Sequence, residues 1–355
     1  MTIDEVLELE QFSVSKQNKH EIILELVNNL HSYHLDNSSN YNKIVKDIFG
    51  SSKSYSNISD IPFIPVTAFK NYHLKSVKDD EVFKVLTSSG TTGQDVSKVY
   101  LDRDTAKLQT NSLSKIISHV IGKDRLPMLI VDSKSVLSNR ESFSARGAGI
   151  LGLSVFGKDH TYVLDENFDL DETKLTNFLE KYSGKPILVF GFTFMIWQYL
   201  VNSNLSKKFD LSKAALLHSG GWKKLIDMAV DNETFKRKLN EKFGIEKVIN
   251  FYGMVEQVGS VFIENSDGYL QCPNFSDVII RDPVDFSEKK HGEEGIIQVL
   301  SCLPKSYPGH SILTEDIGVV VGEDNSSNGW LGKQFKILGR AKKAELRGCS
   351  DTFNS

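Results

Sequence analysis

The stretch Thr87–Gly93, Thr-Ser-Ser-Gly-Thr-Thr-Gly, concentrates hydroxyls and glycines and carries no bulky side chain. Ser88, Ser89, Gly90, Thr91, Thr92 and Gly93 could bring backbone N–H groups and hydroxyls close to phosphate oxygens without steric obstruction. It is not the Walker pattern, which ends in Gly-Lys-Ser/Thr and opens a helix. Apolar-rich Val82–Leu86 precedes it and Ser97–Leu101 follows, so the spacing predicts a loop between the two strands of a small hairpin. Taken alone, such a loop also reads as a polar surface turn.

Other candidates fall at predicted strand ends. Gly220 and Gly221, after Leu216-Leu217-His218-Ser219, could let a flat base slide against the backbone, although a tight strand-to-loop turn needs the same residues. In Asn250–Gln257, Tyr252 offers a stacking face, Gly253 follows it, and Glu256 is a hard oxygen ligand suited to magnesium. Thr314-Glu315-Asp316 places a carboxylate before a predicted strand, where Asp316 could accept from ribose hydroxyls or simply hold a turn. Gly339-Arg340 leads into Lys342, Lys343 and Arg347, a basic run of the kind that usually forms a solvated face. Cys349 follows Gly348, and Arg347, Lys343 and Arg340 are expected to favour its thiolate. It reads either as a nucleophile or as a tail cysteine with no task. Cys272 and Cys302 sit in strand-like surroundings and read as small core residues. Phe190, Phe192, Phe194, Met195 and Trp197 could line an apolar tunnel opened by Gly191, or form plain core. His218 either faces a substrate carboxylate or is a satisfied core histidine.

The elements that must position these residues are readable from periodicity. Residues 1–50 read as helices, with Glu21–Leu30 showing apolar spacing near 3.6. From residue 100 to 260 strands and helices alternate. Helices are predicted over Asp102–Val120 (Asp104 as cap), Arg140–Leu151, Leu170–Tyr182, Thr193–Val201 and Asn232–Phe243. Strands are predicted over Leu126–Val131, Thr161–Leu164, Pro186–Phe190, Ala214–His218 and Val248–Phe251. This alternation argues for a largely parallel sheet with helices on both faces. Ligands in such sheets sit beyond the carboxyl ends of the strands. After residue 260 short strands predominate, Ile317–Val321 and Phe335–Leu338 among them, with Asp267-Gly268 as a turn. The expected organisation is a helical segment over 1–75, an α/β nucleotide-binding body over 76–260, a β-rich lobe over 261–340 and a mobile tail over 341–355.

A chain of 355 residues can bury a sizeable core. Its net charge of −4, with no basic block, argues against nucleic acid as a partner. The three cysteines are scattered and match no zinc pattern, which fits a reducing cytoplasm. No apolar run is long enough to span a bilayer, so the protein is not expected to be an integral membrane protein.

Taken in order, Ser-Ser-Gly-Thr-Thr-Gly, Gly-Gly, Tyr-Gly-x-x-Glu, Thr-x-Asp and Gly-Arg resemble the adenylate-forming superfamily, roughly from Thr87 to Gly348. Within it the sequence looks most like the LuxE-type acyl-protein synthetases, the synthetase component of the bacterial bioluminescence fatty-acid reductase. Pro62–Val66 with Phe69-Lys70, Gly191-Phe192-Thr193-Phe194, and Glu345–Ser350 carry that closer likeness. The resemblance implies an α/β fold: the N-terminal body of an adenylate-forming enzyme, with mixed and parallel sheets flanked by helices and a small β-rich lobe. It implies that Ser88–Gly93 holds the ATP phosphates with Lys98 near them, that Gly220, Gly221 and Tyr252 bound the adenine, and that Glu256 binds magnesium. It further implies that Asp316 holds the ribose, that Arg340 sits at a hinge near the nucleotide, and that Cys349 is acylated. Two departures are noted. Gln94-Asp95 stand where a lysine usually follows the loop, leaving Lys98 as a displaced substitute. The large C-terminal domain of most superfamily members is expected to be absent, since the sequence stops at Ser355.

The implied chemistry activates an acid. A carboxylate attacks the α-phosphate of ATP, pyrophosphate leaves, and the acyl-adenylate passes its acyl group to a thiolate. The expected substrate is a carboxylic, fatty acid, with ATP and magnesium as cofactors and an acyl-accepting partner protein such as a reductase or acyltransferase. Two alternatives stand beside this reading: a ligase that uses coenzyme A or a carrier-protein thiol, and a non-enzymatic nucleotide-binding scaffold.

Overall fold

A computed structural model describes residues 1–88, 96–137, 145–205 and 209–341. The chain divides into two compact units, one formed by Met1–Val120 with Gly253–Glu345, the other built on Ile121–Tyr252. Among the described residues no helix is long and apolar enough to cross a membrane.

The first unit is built on an antiparallel sheet. Its strands run in the order Ser276–Arg281, Gly295–Ser301, Ser311–Glu323, Lys333–Arg340, Leu270–Gln271 and Phe262–Glu264. Val278, Ile297, Val299, Ile312 and Phe335 are fully buried along it. Ile64–Pro65 adds a short parallel strand, pairing Ile64 with Ile312 and Pro65 with Leu313. The Ser311–Glu323 strand is far longer than the predicted Ile317–Val321. Thr314, Glu315 and Asp316 break the apolar alternation on which strand prediction rests: the ladder to Gly295–Ser301 jumps from Leu313 to Ile317 across an irregularity, while Asp316 pairs with Arg340 on the other side. Gly318 permits this, because a Cβ there would lie 2.6 Å from both Ile297 Cδ1 and Lys336 O.

Helices Lys16–Asn37 and Ser39–Phe49 belong to this unit and bury Ile22, Ile23, Val27, Tyr41 and Val45. Lys84–Thr87 and Lys98–Leu101 form the expected antiparallel hairpin, with Thr87 opposite Lys98. Helix Arg103–Ile121 is capped by Asp102, not by Asp104 as expected. The Asp102 carboxylate accepts from the Thr105 N–H at 2.7 Å, satisfying a donor that the first turn leaves free.

The second unit carries a parallel sheet in the order Gly157–Leu164, Leu126–Ser133, Ile187–Phe192, Ala214–Ser219 and Lys247–Tyr252. Ile187–Phe192 is buried along its whole length, the continuous apolar run of a strand covered on both faces. Helices Ala145–Ser154, Glu172–Tyr182 and Asn232–Phe243 alternate with the strands. Asp171 and Asp231 cap the latter two helices through the Lys174 and Thr234 N–H groups, and Gly244, at φ 72°, ends the last. The predicted helix Thr193–Val201 is α only over Thr193–Ile196 and widens to a π turn over Trp197–Val201. Lys242 donates to the carbonyls of Leu200 and Val201, each at 2.8 Å, so the widened end is satisfied from a neighbouring helix.

Candidate active site

In the first unit the stem of the hydroxyl–glycine loop is tightly tied. The Ser88 N–H donates to the Ser97 carbonyl at 3.1 Å, and the Ser97 N–H donates to Ser88 Oγ at 2.9 Å. Ser89, Gly90, Thr91, Thr92 and Gly93, which the loop reading depends on, lie outside the described residues. Lys98 is exposed on the returning strand.

Glu256 sits in the turn Val255–Gln257 and is only 5% exposed. Burial pushes the Glu256 pKa up; Ser97, its own backbone N–H and the charge of Lys70 oppose that, while Glu315 adds to it. The strand Lys98–Leu101, which follows Ser97, packs against the turn Val255–Gln257. A buried carboxylate of this kind is a good partner for a cation. Among the described residues no group of three acidic, histidine or cysteine side chains could hold a metal. A single buried carboxylate is the kind of donor that magnesium accepts, since that ion keeps waters and phosphate oxygens and takes few protein ligands.

Asp316 lies inside the Ser311–Glu323 strand, not in a turn ahead of it. It is the ladder partner of Arg340, whose Nε stands 3.6 Å from Asp316 Oδ1. Thr314 shapes this stretch: its hydroxyl donates to the Ile297 carbonyl at 2.7 Å and accepts from the Asp316 N–H at 3.1 Å. Glu315, the neighbour of Asp316, lies close enough for its charge to act on Glu256. The first unit thus brings together the loop stem, Glu256, Asp316 and Arg340, with Gly253 three positions before Glu256. Cys349 lies outside the described residues.

In the second unit the register aligns the carboxyl ends of three parallel strands. Phe192 pairs with Ser219, and Ser219 with Phe251, so Phe192, Gly220, Gly221 and Tyr252 come off neighbouring strand ends. Gly220 has φ 79°, and a Cβ there would lie 3.3 Å from Phe192 Cδ1; Gly221 faces open space. Phe192 is buried. His218 is buried as well, with Nδ1 3.0 Å from Thr193 Oγ1 and its ring 4.6 Å from that of Phe235. Burial pushes its pKa down to about 3, so the imidazole is neutral. Cys272 and Cys302 are buried core residues, as their surroundings predicted.

Ser97 was not among the residues singled out from the sequence. It is one serine among many, and only the hairpin register, which sets it against Ser88, could have marked it.

An antiparallel lobe and a parallel body with these strand-end clusters define the fold class of the adenylate-forming ligases. A 2-hydroxyisobutyryl-CoA ligase, solved in an open conformation with 2-HIB-AMP and CoA, matches with a TM-score of 0.72 over 92% of this chain and 76% of that one, at 16% identity. ATP-bound MatB from Rhodopseudomonas palustris matches with a TM-score of 0.50 over 82% of this chain and 51% of that one, at 16% identity. The model of the acyl-protein synthetase family LuxE matches residues 2–355, and the chain belongs to that family. The long-chain-fatty-acid–luciferin-component ligase of Vibrio harveyi is 25% identical over 354 residues, 95% of this chain and 88% of its own length. The family and fold expected from the motifs are therefore those of the whole chain.

Proposed function

We propose that this protein is an ATP-dependent acyl-protein synthetase that activates a fatty acid as its acyl-adenylate and carries the acyl group on Cys349 to a partner protein. The observation that carries the reading is the buried Glu256 carboxylate, held in a turn that packs against the strand returning from a hydroxyl- and glycine-rich stretch. Family membership and the fatty-acid ligase named among its relatives support the substrate class. The acyl-adenylate bound by one fold neighbour and the ATP bound by another support the first half-reaction.

In the proposed reaction one fatty-acid carboxylate oxygen attacks the α-phosphorus of ATP and the bond to the β-phosphate bridging oxygen breaks. The products are acyl-AMP and pyrophosphate. The Ser88–Gly93 loop would cradle the phosphates, Gly220, Gly221 and Tyr252 would bound the base, and Asp316 would accept from the ribose. Phe192 would contact the acid. Glu256 would hold magnesium, which when bound supplies positive charge against the phosphate oxygens. Lys98 and Arg340 would add charge at the phosphates. The Cys349 thiolate then attacks the acyl carbonyl, AMP leaves, and a thioester remains for transfer to a reductase or acyltransferase.

Incubation with a radiolabelled long-chain fatty acid, ATP and magnesium, followed by a denaturing gel, tests this. Label on the protein that hydroxylamine removes and that Cys349→Ser abolishes is the expected result. Label that survives Cys349→Ser excludes the cysteine step; full-rate acyl-CoA formation by that variant would point to an external thiol as acceptor.

A further inference from the structure

We infer that Gln257 is a positioning residue for Glu256, strapping the turn they share to two separate backbone segments so that the carboxylate is held where magnesium on ATP would meet it. The inference rests on the proposed function and extends it to a residue to which the motifs give no role.

Three observations carry it. Gln257 directly follows Glu256 in the turn Val255–Gln257 and is 1% exposed. Its Nε2 donates to the Val299 carbonyl at 3.1 Å and to the Gly309 carbonyl at 2.8 Å. Both neighbours are acceptors, so the amide must turn its NH2 toward them, and both of its hydrogens are used. Val299 lies in strand Gly295–Ser301 and Gly309 in the segment after it, so one side chain ties the turn to two places. The second observation is that the Gly309 anchor also lies against the Glu256 main chain: a Cβ at Gly309 would stand 2.8 Å from the Glu256 carbonyl oxygen.

The third is that the anchor is itself fixed. His310, the next residue, is fully buried, with Nε2 3.1 Å from the Tyr41 hydroxyl. The far end of that path decides where its hydrogens sit. His31 Nε2 faces the Ser52 carbonyl at 3.1 Å and must carry a hydrogen. In a neutral imidazole its Nδ1 then accepts from the Tyr41 hydroxyl at 2.6 Å, which leaves the Tyr41 oxygen to accept from His310 Nε2–H. Gly309 is thus held between a closed chain of hydrogen bonds on one side and Gln257 on the other.

A glutamine that only fills the core would matter equally with and without magnesium; one that aims Glu256 matters when magnesium accompanies ATP. Calorimetric titration of the full chain with ATP in magnesium, and again with ATP in EDTA, reads the difference. Gln257→Met keeps the length of the side chain and removes both donors. It is expected to weaken magnesium–ATP binding about fivefold, the worth of the lost neutral hydrogen bonds, and to leave ATP binding in EDTA within about twofold. Gln257→His keeps one N–H where the glutamine nitrogen sits and should lose about threefold, in magnesium only; it decides the matter if Gln257→Met does not fold. Lys242→Met, which removes a donor from carbonyls in the other unit, controls for general destabilisation and should leave magnesium–ATP affinity unchanged.

Equal weakening with and without magnesium, or the same loss in Lys242→Met, would make Gln257 a packing residue and overturn the inference. Unchanged magnesium–ATP binding in a folded Gln257→Met protein would overturn it too while leaving the proposed synthetase standing. A wild-type protein that binds no magnesium–ATP would overturn both.

Discussion

Glu256 is a carboxylate withdrawn from water at a point where a cation would relieve the cost of its burial. Glu256→Gln keeps shape and removes that charge, and is expected to lower fatty-acid-dependent ATP–pyrophosphate exchange by roughly 10²–10³-fold while the melting temperature holds or rises. A loss of exchange that tracks a loss of melting temperature would mean a structural glutamate instead. Cys349 belongs to the second half-reaction only. Cys349→Ser should therefore leave the exchange rate within about twofold of wild type while abolishing covalent label. Glu256 was legible because Tyr-Gly-x-x-Glu falls at the end of a strand in the right order among the other motifs. Asp316 was legible as a carboxylate but not in its setting: the polar run around it conceals the strand that pairs it with Arg340.

Among the elements, the turn that holds Glu256 is shaped by close approach. A Cβ at Gly309 would lie 2.3 Å from the Tyr307 ring and 2.8 Å from the Glu256 carbonyl. Gly309→Ala is expected to cost about 1–3 kcal/mol in urea unfolding and to depress exchange, since relief must come from Tyr307 or the Glu256 backbone. Unchanged stability and exchange would show that the turn adapts freely. The π-turn offers a check in the other unit. Lys242→Met would leave the Leu200 and Val201 carbonyls without their charged donor and should cost about 1–3 kcal/mol, read by the same unfolding midpoint. Elements with one dominant signal were legible: the apolar run of Ile187–Phe192, and the helix Asn232–Phe243 between an aspartate cap and a glycine stop. The passage from α to π after Ile196 was not, because it depends on a lysine reaching over from another helix.

At the scale of the whole molecule, long-range polar contacts knit the first unit from both ends of its sequence. Lys19 Nζ donates to the Cys272 carbonyl at 3.0 Å, and His34 Nε2 lies 3.0 Å from the Pro304 carbonyl. Such pairings have no local sequence signature, which is why strand–helix alternation revealed the fold class but not the joining of Met1–Val120 to the chain from Gly253. The same burial sets the response to acid. Desolvation pushes His34 and His218 down to about 3 and holds His310 well below its usual range. Unfolded histidines titrate near 6.5, so between these values the unfolded chain binds protons that the folded chain refuses. Stability is therefore intact above about pH 6.5 and falls on acidification toward pH 3, by about 1.4 kcal/mol per pH unit for each such histidine. Urea midpoints at pH 7.5, 6.5 and 5.5 check this, and a flat profile would contradict the buried neutral imidazoles.

The central claim is that Glu256 and the hydroxyl- and glycine-rich stretch Ser88–Gly93 serve acid activation by ATP. Its most direct measurement is ATP–pyrophosphate exchange by the purified chain, with and without a long-chain fatty acid. Exchange that requires both the acid and magnesium and collapses in Glu256→Gln is the expected result. A properly folded protein that shows no acid-dependent exchange across short, medium and long fatty acids would contradict the claim.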